Sequence, residues 1–219
     1  MSSLYIIPQW FFGYDIALQL LFAVVTMALA VYSFKMYRLV NEPGFRTFGL
    51  GFLSISLAHI LWSGINFSVS HALNQSTRAV DLDTLSTLGF VGVSSYLMLS
   101  ILGLALILYT TLPQRSQRTF PIIACLALIV PIFASYKALA FYFVSSLLLF
   151  FIVLHFVLRY IKNSKRTDPL VLLAFVFLFL GTLDFTFTTL HYSHYVLGHV
   201  LQFIGYGLML ASLIKTLRR

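Results

Sequence analysis

Few side chains in this 219-residue sequence can do acid–base or ligand chemistry. Asp15, Gln19, His59, Asn66, His155, Asp184, His199 and Gln202 all stand inside or at the edge of long apolar stretches. A polar or ionisable group there is costly unless it is used, so each is a candidate functional residue. Asp184 lies eight residues before a turn near Tyr192, and His199 seven after it. At about 1.5 Å per residue both fall roughly 10–12 Å below that turn. A carboxylate facing an imidazole at one depth can hold a proton or orient a ligand. The competing reading is a structural hydrogen bond pinning two helices. With polar neighbours at similar depth, the expected ligand-binding set is Asp15, Trp62, Asn66, Asp184, His199 and Gln202, in a pocket opening outward.

A second group, His71, Asp81, Asp83, His191 and His194, carries metal-ligand side chains near one rim. His191 and His194 are three apart and would share a face if a helix began there, whereas His194 and His199 are five apart, a poor spacing for one metal. Solvated loop residues are the plainer reading of the group. A di-haem bundle needs histidines paired at matched depths. His59 and His155 differ in depth, so haem is not expected. The seventh apolar stretch has no mid-membrane lysine for a retinal Schiff base, Lys215 standing at its end. No catalytic residue is assigned. The single cysteine, Cys125, lies in an apolar run and is expected to behave as a small core residue.

These residues need elements to position them, and composition dictates which. The chain is 60% hydrophobic and 9% charged, against about 25% charged in a soluble domain. Most of its surface must therefore face lipid. A helix crosses the hydrocarbon core with about 20 apolar residues. Seven stretches approach that length, roughly 14–37, 47–70, 85–110, 119–136, 138–160, 169–190 and 194–215. They are continuous rather than alternating, which selects helices over a barrel. The fold class expected is all-α, a polytopic helix bundle forming a single transmembrane domain over 1–219. Pro131 is expected to kink the fourth segment, which could alternatively be re-entrant. The pairs Gly49/Gly51, Gly89/Gly92 and Gly205/Gly207 permit close helix approach.

Charge sets the expected orientation. Twelve cations (Lys35, Arg38, Arg46, Arg115, Arg118, Arg159, Lys162, Lys165, Arg166, Lys215, Arg218 and Arg219) fall at one end of the helices, and only Arg78 and Lys137 at the other. Cytoplasmic loops carry the excess of Lys and Arg, so the N-terminus is expected outside and the C-terminus in the cytoplasm. Asp15, Asp81, Asp83 and Asp184 are expected near the outer side. The net charge of +8 is spent on topology, and no nucleic-acid partner is expected; the partner is the lipid bilayer.

The layout, with the closing stretch Gly198-His199-Val200-Leu201-Gln202-Phe203-Ile204-Gly205-Tyr206, resembles the seven-helix membrane sensor modules of prokaryotic signalling proteins. That resemblance implies a prokaryotic cell membrane and a binding or sensing role. These residues include no output domain, so it also implies a separate signalling protein or membrane-complex subunit on the cytoplasmic side. A second resemblance is to the ceramidase-like seven-helix zinc hydrolases, through Ser56, His59, Asp81, Asp83, His194 and His199. It implies zinc activating water while an aspartate moves protons. In this sequence Ser56 and His59 are three apart, and the seventh helix has His194 and His199 in place of a His-x-x-x-His pair. A small transporter or accessory subunit is a third class; transporters often show inverted repeats, and none is visible here.

Overall fold

Local sequence chemistry fixes several helix ends. Asn41 adopts the left-handed conformation (φ 55°) and its N–H closes on the Tyr37 carbonyl, ending the first helix. Asn tolerates that conformation better than most residues. Pro43 then opens the second helix, where its missing N–H costs nothing. Asp168 caps the sixth helix through Leu170 N, with Pro169 at its first position. The computed structural model describes residues 11–74, 82–112, 118–162, 168–188, 191 and 193–217.

Among the described residues the regular structure is helical throughout, with α1 Phe12–Val40, α2 Pro43–Asn74, α3 Leu82–Thr111, α4 Thr119–Phe133, α5 Lys137–Lys162, α6 Pro169–Phe185 and α7 Ser193–Leu217. Five of them, α1, α2, α3, α5 and α7, contain spans long and apolar enough to cross a membrane. Large apolar side chains such as Val24, Val31, Phe143, Phe150 and Phe203 point away from the protein. Lipid is the solvent that suits them, and the chain is an integral membrane protein.

The other two helices are shorter than the sequence suggests. At about 1.5 Å per residue, the 15 residues of α4 and 17 of α6 give roughly 22 and 26 Å. Pro131 lies in the last turn of α4, which ends at Phe133, so it stands near a terminus instead of kinking a longer helix. The segment expected over 169–190 leaves helical geometry after Phe185 and continues as a turn over residues 186–188.

Packing runs α1 on α2, α2 on α3, α3 on α5, α5 on α6, α6 on α7, and α7 back on α1. Six helices thus close a ring, and α4 flanks it against α3 and α5. Cys125 on this outlying helix is exposed, correcting its expected place in the core; α4 buries Ala124, Ala127 and Pro131 instead. The ring interior is filled by Phe22, Phe52, Phe141, Phe175, Ile101 and Tyr206. Lysines and arginines gather at one end, called here the basic end. Two acids also belong to that end, Glu42 after α1 and Asp168 before α6. Lys137, at the opposite end, lies 4.2 Å over the Phe90 ring.

Lipid gives apolar helix surfaces no hydrophobic reason to associate, so close backbone approach matters more than in water. A Cβ built on Gly51 would lie 2.9 Å from the Gly103 carbonyl oxygen, and one on Gly103 2.7 Å from that of Gly51. On the other side of the ring, a Cβ on Gly181 would lie 2.8 Å from the Gly198 oxygen, and one on Gly205 3.0 Å from that of Ala174. Gly205 and Gly51 are close-approach positions as expected, but Gly207 faces open space and the decisive counterparts are Gly103, Gly181 and Gly198. Gly103→Ala and Gly181→Ala should each destabilise the bundle by about 1–3 kcal/mol through overpacking, while Gly207→Ala stays within about 0.5 kcal/mol. Thermal unfolding of the three variants in detergent checks this; equal midpoints would refute the close-approach account.

Candidate functional site: a buried aspartate–histidine cluster and an adjoining cavity

The first turn of α1, the last third of α2 and the first turns of α7 meet at the end opposite the basic one. They enclose the Asp15 side chain completely, at 0% exposure. Three donors converge on its carboxylate. Tyr195 OH donates to Oδ1 at 3.0 Å, His199 Nε2 lies 2.8 Å from the same oxygen, and Asn66 Nδ2 donates to Oδ2 at 2.8 Å. His199 is 1% exposed, and its Nδ1 donates to the Tyr195 carbonyl at 3.1 Å. With Nδ1 committed as a donor, the Nε2–Oδ1 contact holds one proton between the two residues, on the imidazole or on the carboxyl group. Phe11, Phe185 and Tyr195 surround the imidazole, with ring centroids 5.5, 4.9 and 4.6 Å from it.

The polar groups continue into the ring. Gln19, one turn below Asp15 on α1, places its amide nitrogen 3.5 Å from His199 Nε2 and its amide oxygen against His59 Nδ1. His59 Nε2 accepts from Tyr206 OH at 3.1 Å. A line of side chains therefore runs Asn66, Asp15, His199, Gln19, His59, Tyr206 across α1, α2 and α7. At its inner end lies a cavity of about 60 Å³ bordered by His59, Tyr96, Ser145, Thr182, Gln202 and Tyr206, among others. Ser145 is 2% exposed and its hydroxyl has no hydrogen-bond partner.

The six residues expected to share one pocket are distributed differently. Asp15, Asn66 and His199 come together, but buried beneath aromatic rings instead of in a pocket opening outward. Gln202 borders the central cavity and approaches Thr182 at 3.5 Å. Trp62 is half-buried and packs against Tyr96, centroids 5.0 Å apart. Asp184 does not face His199. Its Oδ1 accepts from His194 Nδ1 at 2.7 Å. The reason is the early end of α6: Asp184 precedes the last helical residue by one, so it stands at the rim and not two turns deep. The His199 ring is turned across the ring closure towards α1.

Of the expected metal ligands, His191 and His194 fall among the residues whose side chains are described, and they do not come together on one site. His191 lies before the start of α7, and its Nδ1 engages Ser193. His194 is taken by Asp184. Asp81 and the side chains of His71 and Asp83 lie outside the described residues, and among the described residues no three His, Cys, Asp or Glu side chains gather as a metal group. Of the positions shared with zinc hydrolases, Ser56 donates to the Ala23 carbonyl and His59 is held by Gln19 and Tyr206.

Tyr195 and Ser145 were missed by sequence reading. Tyr195 is four residues before His199 and hence on its face, a signal the sequence carried. Ser145-Ser146 interrupts an apolar helix, also a visible signal. No protein-family model, curated protein or solved structure matches this chain.

A separate polar contact ties the basic end. Asp168 accepts from Ser212 Oγ at 2.9 Å and Lys215 Nζ at 3.3 Å, joining the start of α6 to the end of α7. Burial alone would raise this carboxyl group. The hydrogen bonds from Ser212, Leu170 N–H and Lys215, with the charge of Lys215, outweigh it and hold the group below its ordinary 3.8. A depressed folded value contributes stability that is complete above the unfolded value and lost as pH falls through the folded one. Ser212→Ala should therefore lower the unfolding midpoint near neutral pH, with the gap to wild type shrinking as pH falls from about 6 to about 3. A gap independent of pH would refute the assignment.

Proposed function

We propose that this is an integral membrane binding or sensing protein whose sensing element is the Asp15–His199 pair, with the cavity beside His59 as its ligand site. The observation that carries this reading is the complete burial of an aspartate and a histidine, held by donors from α2 and α7, at the contact that closes the ring. Leaving one partner of such a pair buried alone costs about 3–5 kcal/mol. A proton or ligand that alters the pair thus acts directly on the α1–α7 seam. The proposed orientation puts the N-terminus outside and the basic end in the cytoplasm, in accord with the Lys and Arg bias. An output then passes through the basic-end loops to a separate signalling protein or membrane-complex subunit in a prokaryotic cell membrane.

The alternative for the same contacts is a permanent structural pin, and one measurement separates the two. In a Cys125→Ser background, spin labels at Lys35→Cys and Ile214→Cys report the α1–α7 distance at the basic end. Asp15→Asn should shift that distance distribution by about 2 Å or more, the scale of helix movements in switching proteins. An unchanged distribution in a folded Asp15→Asn protein would make the pair a pin and end the sensing reading. If Asp15→Asn does not fold, His199→Gln carries the same comparison.

A further inference from the structure

The central cavity has a neighbour. A second cavity, of about 170 Å³, lies towards the basic end and is bordered by Phe45 in the first turn of α2 and Thr216 near the end of α7. The two share Phe52 and Phe175 as lining residues. They therefore adjoin, with two aromatic side chains between them. At the opposite end the Asp15–His199–Asn66 cluster packs with Phe11, Phe185 and Tyr195.

The chemistry of the two chambers differs. The one towards the basic end is almost wholly apolar, and its Ser and Thr hydroxyls are occupied locally: Ser33 donates to Leu29 O, Ser212 to Asp168, and Thr216 to Ser212 O. The central one has polar groups from five helices, including the unpartnered Ser145 hydroxyl and the Gln202 amide. A buried hydroxyl with nothing to bond is costly, and what relieves it must be a molecule inside the cavity. Among the described residues no Asp, Glu, Lys or Arg lines either chamber. Both ring nitrogens of His59 are engaged by neutral partners. Nothing there compensates a charge, and a charged molecule passing the apolar chamber would lose its hydration without replacement. A volume of about 60 Å³ suits a few waters or a molecule of about two to four heavy atoms.

We propose that the central cavity binds a small uncharged hydrogen-bonding molecule through Ser145 and Gln202, and that this molecule arrives from the basic end, through the apolar chamber and past Phe52 and Phe175. This deepens the binding reading above, and rests on it, by naming the ligand class and its route.

Thiol accessibility tests it without knowing the ligand. The native Cys125 is replaced by Ser, and Ser145→Cys is introduced. Folded protein in vesicles is treated with methyl methanethiolsulfonate, small and neutral, or with its trimethylammonium-ethyl analogue, and labelling is followed by intact mass. The neutral reagent should label Ser145→Cys to completion. The cation should react at least about 100-fold more slowly, and Phe52→Trp should slow the neutral reagent about tenfold. Phe11→Ala should leave the rate unchanged. A thiol inert in the folded protein but labelled after denaturation overturns the site. Equal rates for the two reagents overturn the ligand class. Acceleration by Phe11→Ala without an effect of Phe52→Trp overturns the route. Should Ser145→Cys fail to fold, Ser100→Cys on α3 borders the same cavity and serves in its place. The spin-label comparison is independent of these results, so a cavity that labels correctly beside an immobile α1–α7 seam would refute sensing alone.

Discussion

A carboxylate with no exposure to solvent constrains the whole bundle. Asp15 stands in the first turns of α1, and its own helix offers its side chain no set of donors. In a membrane interior it has to be met by hydrogen-bond donors from other helices or left with a penalty of several kcal/mol. Asn66 answers from α2, and Tyr195 and His199 from α7. Those two helices are the neighbours of α1 in the ring. Van der Waals packing can hold apolar helices together in lipid, but it discriminates poorly between one rotation about the helix axis and another. Three directional bonds to one side chain do discriminate, and they fix how α1 faces both neighbours.

The glycine contacts act between other helices. Gly51 with Gly103 draws α2 onto α3, and Gly181 with Gly198 draws α6 onto α7. The glycine seams carry polar contacts as well, Ser54 with the Leu99 carbonyl across α2–α3 and Asp168 with Ser212 across α6–α7. At the Asp15 end α7 meets α1 through side chains. Glycine seams cannot open without losing dispersion contacts along their length. The α1–α7 seam at the Asp15 end depends instead on a few side-chain hydrogen bonds.

Much of this was legible in the sequence, and the failures share a cause. Long uncharged runs gave all seven helices, because membrane crossing depends on a one-dimensional property. Asp15, Asn66, His199, His59 and Gln202 were each recognisable as polar residues in apolar surroundings. Their pairing was not. Pairing Asp184 with His199 assumed that α6 continues to residue 190, whereas it ends at Phe185. A few residues at a helix end move a side chain from the interior to the rim. The direction of a ring-closing contact between α1 and α7, about 180 residues apart, left no local trace either. Cys125 was misplaced for a related reason: hydropathy cannot tell a helix inside the ring from one flanking it, and only packing assigns α4 to the outside.

The described residues hold two aspartate–histidine pairs, and their surroundings set them apart. Asp184 and His194 form the shorter contact, 2.7 Å against 2.8 Å. The His194 side chain is 36% exposed and Asp184 14%, against 2% and 0% in the other pair. The rim pair reaches solvent in part, although Asp184 Oδ2 is itself buried, and a pair screened by solvent gains less from being together. No water reaches Asp15, and each partner there depends on the other. Length does not rank such contacts; access to solvent does. By that measure the bond that matters most is the marginally longer one, and it is the bond at which α7 meets α1.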